Sequence, residues 1–133
     1  MTDLELVKKS IEAREKSYSP YSNFMVGAAL MGESGQIYLG ANIENAAYSP
    51  TICAERSAIA IAVSSGETRF KKIAVAGWPK DGQGFATPCG VCRQTLMEFC
   101  GLDFEILIAH GGEAYKTYTL EELLPMGFGP ASL

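Results

Sequence analysis

The sequence lacks the features that mark nucleic-acid platforms and membrane proteins. Lys and Arg together number 11 against 15 Asp and Glu, a net charge of −4, which argues against a basic surface for a phosphate backbone. The longest uncharged stretch, residues 17–32, is interrupted by Pro20, Ser22 and Asn23 and cannot form a transmembrane helix. The first residues carry acids where a signal peptide has its basic region, so we expect a cytoplasmic protein.

Internal repeats, low-complexity runs and linkers are also missing. The 133 residues are 47% hydrophobic and 20% charged, which excludes a disordered chain and leaves room for one hydrophobic core. We therefore expect a single domain over residues 1–133.

Helical and strand patterns alternate along the chain. Thr2 with Glu5 and Thr119 with Glu122 have the spacing of capping boxes, which predicts helices at both positions. Two further helices are predicted over residues 52–65 and from Pro88, as a first-turn proline, to about residue 100. Strands are predicted over residues 24–31, 36–42, 72–78, 104–109 and 115–118. This order predicts an α/β fold, a three-layer α-β-α sandwich around a mixed five-stranded sheet.

The four cysteines are the main chemical signal. A cytoplasmic protein keeps its thiols reduced, so disulfides are not expected. Cys53 begins one predicted helix, and Cys89 and Cys92 lie in the first turn of another. These helices follow strands that could lie side by side, which would bring three thiols together at two helix N-termini, where thiolate is favoured. Zinc accepts thiolates, and three protein ligands would leave one position open for water.

Two charged residues follow Cys53 directly. Glu55 is too close to Cys53 in sequence to be a comfortable fourth ligand, but it could stand beside the open position and handle the proton of the water. Three thiolates overcompensate the charge of the metal. We expect Arg56 and the two helix dipoles to draw charge off the sulfur atoms. Cys100 and His110 have no evident metal partner.

Cys53, Glu55, Arg56, Cys89 and Cys92 belong to longer motifs. Through these motifs the chain resembles the small, homotetrameric cytidine deaminases of nucleoside salvage. The segments that carry the resemblance are Tyr21-Ser22-Asn23-Phe24-Met25-Val26-Gly27-Ala28-Ala29, Asn42-Ile43-Glu44-Asn45-Ala46-Ala47-Tyr48, Cys53-Ala54-Glu55-Arg56 and Pro88-Cys89-Gly90-Val91-Cys92-Arg93-Gln94. The two cysteine motifs are typical of zinc deaminases generally, with Cys53 in the position that the common pattern gives to His. The motif from Asn42 to Asn45 narrows the likeness to nucleoside deaminases.

The resemblance implies a role for each matching residue. One zinc ion per subunit would be held by Cys53, Cys89 and Cys92, and Glu55 would transfer protons between the attacking water, ring N3 and the leaving amine. It further implies substrate contacts: Asn42 and Glu44 to the ribose, Phe24 to the pyrimidine, and the backbone near Ala54 and Pro88 to the polar groups of the base. A neighbouring subunit would close the site, with Tyr48 and Phe128 in matching positions.

The implied activity is hydrolytic deamination of cytidine and 2′-deoxycytidine in pyrimidine salvage. Three alternatives remain open at this point. The chain could deaminate another cytosine-bearing small molecule, such as a nucleoside antibiotic. It could also deaminate a nucleic acid, although its net negative charge disfavours binding to a phosphate backbone. It could also be a structural zinc module, which would require a fourth ligand such as Cys100 or His110.

Overall fold

The fold is a five-stranded sheet with helices on both faces. The computed structural model describes all 133 residues. Helix α1 spans Asp3–Ala13, and a 3₁₀ turn over Arg14–Lys16 follows it. The strands are β1 (Phe24–Gly32), β2 (Ile37–Ala41), β3 (Phe70–Pro79), β4 (Glu105–Gly111) and β5 (Ala114–Thr119). The remaining helices are α2 (Ala54–Ser64), α3 (Gly90–Phe99) and α4 (Leu120–Leu123), and a 3₁₀ turn covers Pro130–Ser132.

The sheet is mixed, as predicted. The strand order is β2-β1-β3-β4-β5, and only β3 and β4 run parallel. The expectation that the strands before α2 and α3 lie side by side is wrong, because β1 lies between β2 and β3. The two helices still lie on the same face of the sheet, where α2 (Ala54, Ala58 and Ile59) and α3 (Leu96) contribute to one core.

Alternating side chains of the central strands create two cores. On one face, α1 packs Leu6 and Val7 against Ala74, Ala76 and neighbouring residues of the sheet. On the other face, the α2, α3 and α4 helices cover residues of the opposite parity, such as Ile73, Val75, Ile106 and Ile108. The predicted three-layer arrangement is confirmed, and its physical origin is the two-residue period of the strands.

Both predicted capping boxes are present. The Thr2 hydroxyl accepts a hydrogen bond from the Glu5 amide, and the Thr119 hydroxyl accepts one from the Glu122 amide. The prediction for Pro88 is wrong: Cys89 is the N-cap and the helix begins at Gly90, so Pro88 lies before the helix. None of the helices has both the length and the apolar character needed to cross a membrane.

Candidate active site

Helix α2 begins with the first of the three cysteines. Cys53 is the N-cap, with extended φ and ψ of −75° and 157°, and its side chain caps no backbone amide. The thiol is therefore free to point away from the helix. Glu55, in the first turn, is only 3% exposed. Beneath this turn lies Gly40 of β2, where an added Cβ would lie 2.5 Å from the Ala54 carbonyl oxygen. The close contact between strand and helix positions Cys53 and Glu55.

Helix α3 supplies the other two cysteines from its N-cap and first turn. Cys89 is exposed, whereas Cys92 is buried. Arg93 fixes the entry of the chain into this helix: its Nε donates to the Pro88 carbonyl oxygen at 2.6 Å, and its Nη1 donates to the Leu123 carbonyl oxygen at 2.6 Å.

The three sulfur atoms converge. The Sγ atoms of Cys53, Cys89 and Cys92 all lie within 4.8 Å of one another, and those of Cys53 and Cys89 are 3.7 Å apart. Tetrahedral zinc with Zn–S bonds of about 2.3 Å separates two sulfur ligands by about 3.8 Å. The donor set and its spacing therefore fit zinc. No fourth Cys, His, Asp or Glu joins this cluster, so neither Cys100 nor His110 completes a closed structural site.

Hydrogen bonds and a nearby positive charge favour thiolate at Cys53. They lower its pKa to about 5, first the hydrogen bond with the Cys92 thiol and then those with Arg56 and Cys89. The Arg56 Nη2 lies 3.5 Å from the Cys53 Sγ. The hydrogen bond with Cys53, and after it burial, raises the pKa of Cys92. Arg56 is thus placed to offset the negative charge of clustered sulfurs.

Glu55 is the buried carboxyl group of the site. Burial raises its pKa to about 7, and the Cys53 charge adds to that effect. A carboxyl with a pKa near neutrality can both accept and release a proton at physiological pH. Its position next to the thiols gives it the physical properties of a general acid and base.

A cavity of about 180 Å³ opens onto these groups. It is mostly apolar, which suits a flat heterocycle. Its lining includes seven residues of the sequence motifs, namely Phe24, Val26, Asn42, Cys53, Ala54, Glu55 and Cys89. Five further lining residues lie outside the sequence motifs: Thr51, Ile52, Val75, Ala86 and Thr87. They carry no chemical signature of their own and come together only through the fold.

Asn42 is held rigidly at the edge of this cavity. Its Oδ1 accepts hydrogen bonds from the Val26 amide at 3.0 Å and from the Ser17 hydroxyl, and its Nδ2 donates to the Phe24 carbonyl oxygen at 2.9 Å. The amide oxygen is fully used by two donors. One N–H of Asn42 therefore remains to donate to a ligand.

Glu44 lies in an adjoining cavity of about 380 Å³ that shares Thr51 with the first. Its carboxylate accepts hydrogen bonds from the Ser22 hydroxyl and from the backbone amides of Tyr21 and Ser22. These bonds, that of the Ser22 hydroxyl first, lower the pKa of Glu44. Glu44 is therefore an acceptor, whereas Asn42 offers a donor.

Two of the expected site residues lie apart from the thiol cluster. Tyr48 is 73% exposed and lines the adjoining cavity with Glu44. Phe128 is 59% exposed and lines neither cavity, although its carbonyl oxygen accepts a hydrogen bond from Gln94 at 2.7 Å. Within one chain, these aromatic rings do not reach the sulfur atoms.

The residues set aside as non-ligands also lie elsewhere. Cys100 is half-buried, and burial raises its pKa to about 12, as expected for an inert thiol. The His110 ring stacks on Phe85 with ring centres 4.9 Å apart. Neither residue lines the cavity beside the thiols.

Comparisons with known proteins point to one family. A family model described as "Cytidine and deoxycytidylate deaminase zinc-binding region" matches residues 1–106. A cytidine deaminase of Sporosarcina psychrophila is 45% identical over 129 residues, covering 97% of this chain and 93% of the relative. One from Halalkalibacterium halodurans is 43% identical over 123 residues, covering 92% and 91%.

A solved structure is similar in its fold as well. The crystal structure of a cytidine deaminase from Burkholderia pseudomallei has a TM-score of 0.88 and 38% sequence identity. The match covers 96% of this chain and all of that one. The likeness therefore extends through the sheet and helices that position the three thiols.

Proposed function

Because the chain belongs to the cytidine and deoxycytidylate deaminase family, we propose that it deaminates cytidine and 2′-deoxycytidine by zinc-dependent hydrolysis. The products are uridine or 2′-deoxyuridine and ammonia, a reaction of pyrimidine salvage in the cytoplasm. The observation that carries the proposal is the cluster of three sulfurs, two of which, those of Cys53 and Cys89, belong to residues that line one cavity with the buried Glu55. In this proposal residues 1–133 act as one catalytic domain.

Cys53, Cys89 and Cys92 would hold one zinc ion per subunit. When bound, zinc supplies Lewis-acid activation of water, whose pKa falls toward roughly 7 in favourable sites. Three thiolates weaken this effect by their charge. Arg56, with Nη2 3.5 Å from the Cys53 Sγ, offsets part of that charge, as do the N-termini of α2 and α3.

Glu55 carries the protons of the reaction. It takes a proton from the water that attacks C4 of the cytosine ring and delivers it to N3. It then takes the remaining proton from the hydroxyl on C4 and gives it to the amine, so that the C4 carbonyl forms as the bond from C4 to nitrogen breaks and ammonia leaves. The burial that raises its pKa to about 7 suits both directions of transfer. General acid–base catalysis of this kind contributes a factor of about 10² to 10⁴.

Substrate recognition divides between the two cavities. The apolar cavity, with Phe24 on its wall, would take the pyrimidine ring, while the backbone near Ala54 and Pro88 contacts its polar groups. The free N–H of Asn42 and the carboxylate of Glu44 would bind the ribose. A sugar hydroxyl is both a donor and an acceptor, so this complementary pair suits it.

The assembly that we propose is a homotetramer with shared active sites. Tyr48 and Phe128 are exposed within one chain, at 73% and 59%, so they are available to close the site of a neighbouring subunit. Light scattering of the purified protein tests the assembly. A monomer with full activity would contradict the sharing of sites.

The test of the proposed activity combines one variant with zinc removal. We expect the ultraviolet absorbance of cytidine to change to that of uridine, and chelation to stop the reaction. Glu55→Gln should retain zinc and lose at least about 10²-fold in kcat, because the proton carrier is gone. Glu67→Gln, a matched change in a carboxyl that lines neither cavity, should keep wild-type turnover.

Two results would contradict this mechanism. Normal turnover by zinc-loaded Glu55→Gln would remove Glu55 from the proton transfers. A substrate panel that favours a cytosine-bearing antibiotic or single-stranded nucleic acid over cytidine would replace the substrate.

A further inference from the structure

Glu44 is fixed by two consecutive residues of the segment that joins α1 to β1. Its Oε1 accepts the Tyr21 amide at 2.9 Å and the Ser22 amide at 3.1 Å, while its Oε2 accepts the Ser22 hydroxyl. A carboxylate oxygen accepts about two hydrogen bonds. Oε1 is therefore saturated, and Oε2 keeps one acceptor position for a ligand.

The direction of the Ser22 hydroxyl is also fixed. The Phe24 amide donates to the Ser22 Oγ at 3.0 Å, so the single proton of that hydroxyl is directed to Glu44. Between them, Asn23 has φ of 60°, the left-handed conformation that asparagine tolerates better than most residues. The strained turn thus connects the Glu44 carboxylate to the first residue of β1, whose side chain lines the apolar cavity.

We infer that Ser22 is a positioning residue that aims the free acceptor of Glu44 at a sugar hydroxyl and thereby determines the preference for hydroxyl-bearing nucleosides. This inference rests on the proposed deamination of nucleosides. Ser22 acts through Glu44, since removing its hydroxyl frees the Oε2 atom to rotate or to bind water. The chemistry at C4 does not involve it.

The experiment compares two substrates with one base. Cytidine carries the 2′ and 3′ hydroxyls, and 2′,3′-dideoxycytidine lacks both. In Ser22→Ala, we expect kcat/KM for cytidine to fall about tenfold, the loss typical of a hydrogen bond to a charged group. For dideoxycytidine, kcat/KM should change by less than about twofold, because no hydroxyl depends on Glu44 there. Where dideoxycytidine turns over too slowly, its inhibition constant against cytidine replaces kcat/KM.

Two companion variants separate positioning from folding. Ser22→Thr keeps the hydroxyl and should restore the preference for cytidine. Ser22→Cys keeps the size but donates weakly, and it replaces Ser22→Ala if that variant does not fold.

The chain also contains a matched control pair at the other end of β1. Ser34 donates its amide to Glu67 Oε2 at 2.9 Å and its hydroxyl to Glu67 Oε1 at 2.7 Å, which is the same arrangement as in Ser22 and Glu44. Ser34→Ala should lower stability as Ser22→Ala does, yet leave the ratio of the two substrates unchanged.

The outcomes separate the two proposals. A wild-type protein that does not convert cytidine refutes the proposed function itself. A wild-type protein that converts cytidine but does not prefer it to dideoxycytidine overturns the inference alone. The inference also fails if Ser22→Ala reduces kcat/KM for both substrates equally, since that marks a merely structural role.

Discussion

Gly40 offers a test of how the sheet positions α2, the helix that carries Cys53 and Glu55. A Cβ at this position would lie 2.5 Å from the Ala54 carbonyl oxygen and nearer still to the Ala58 amide nitrogen. Both atoms belong to the backbone of α2 and cannot rotate away. To reach an ordinary contact of about 3.5 Å, the N-terminal half of α2 must move by about 1 Å. Cys53 and Glu55 move with it.

The cost of Gly40→Ala can be estimated. Overpacking of this kind destabilises a protein by about 1–3 kcal/mol. At about 2.1 cal/mol/K per residue, the unfolding entropy of 133 residues is about 0.28 kcal/mol/K, so Tm should fall by about 4–11 °C. A 1 Å displacement of catalytic groups can reduce turnover by up to about 10²-fold. We therefore expect losses in stability, bound zinc and kcat/KM together.

Gly27→Ala is the matched control. Its Cβ would meet the backbone of α1, including the Ala13 carbonyl carbon at 2.8 Å, on the opposite face of the sheet. Thermal unfolding at one protein concentration, zinc content and kcat/KM are measured for both variants. Gly27→Ala should lose stability but keep its zinc. If Gly40→Ala also keeps full zinc and kcat/KM despite a lower Tm, the contact between β2 and α2 does not set the site.

Two further predictions concern stability. The Arg14 guanidinium donates hydrogen bonds to three backbone carbonyls and lies 4.4 Å from the Trp78 ring centre. Lysine can reproduce neither arrangement, so Arg14→Lys should reduce the free energy of unfolding, measured by chemical denaturation, by about 2–4 kcal/mol. Glu67 has a pKa lowered from 4.5, first by the Ser34 amide, so its stabilising effect is present above pH 4.5 and is lost as the pH falls through its folded-state pKa. Wild type should therefore exceed Glu67→Gln in stability at neutral pH, and the difference should shrink in acid; a constant difference would contradict this.

Local signals in the sequence were sufficient for the helices and strands. The Thr2 and Thr119 capping boxes depend on residues three apart, so they are readable without tertiary structure. The apolar run from Phe24 likewise predicted β1. The position of Pro88 was predicted wrongly because a proline is acceptable both in the first helical turn and just before an N-cap. Only the hydrogen bonds of α3 distinguish the two positions.

Local sequence patterns could not predict the long-range packing of the strands in the same way. The placement of β1 between β2 and β3 depends on which strand edges pair across the whole chain. The lining residues Val75 and Ala86 have no chemical signature, and they reach the cavity only because β3 and the loop before α3 pass beside it. A sequence motif marks the groups that react, but not the apolar wall that surrounds them.

The hydrogen bonds of Asn42 and Glu44 explain why residues far from their motif in the sequence also matter for its geometry. Each side chain is held by groups 16 to 25 residues earlier in the chain, at Ser17, Ser22 and Val26. A carboxylate or amide free to rotate would lose part of its binding free energy to ordering, whereas these two are oriented before a ligand arrives. The segment from Ser17 to Val26 therefore contributes to the binding free energy of the proposed site, although most of its side chains would not contact a nucleoside.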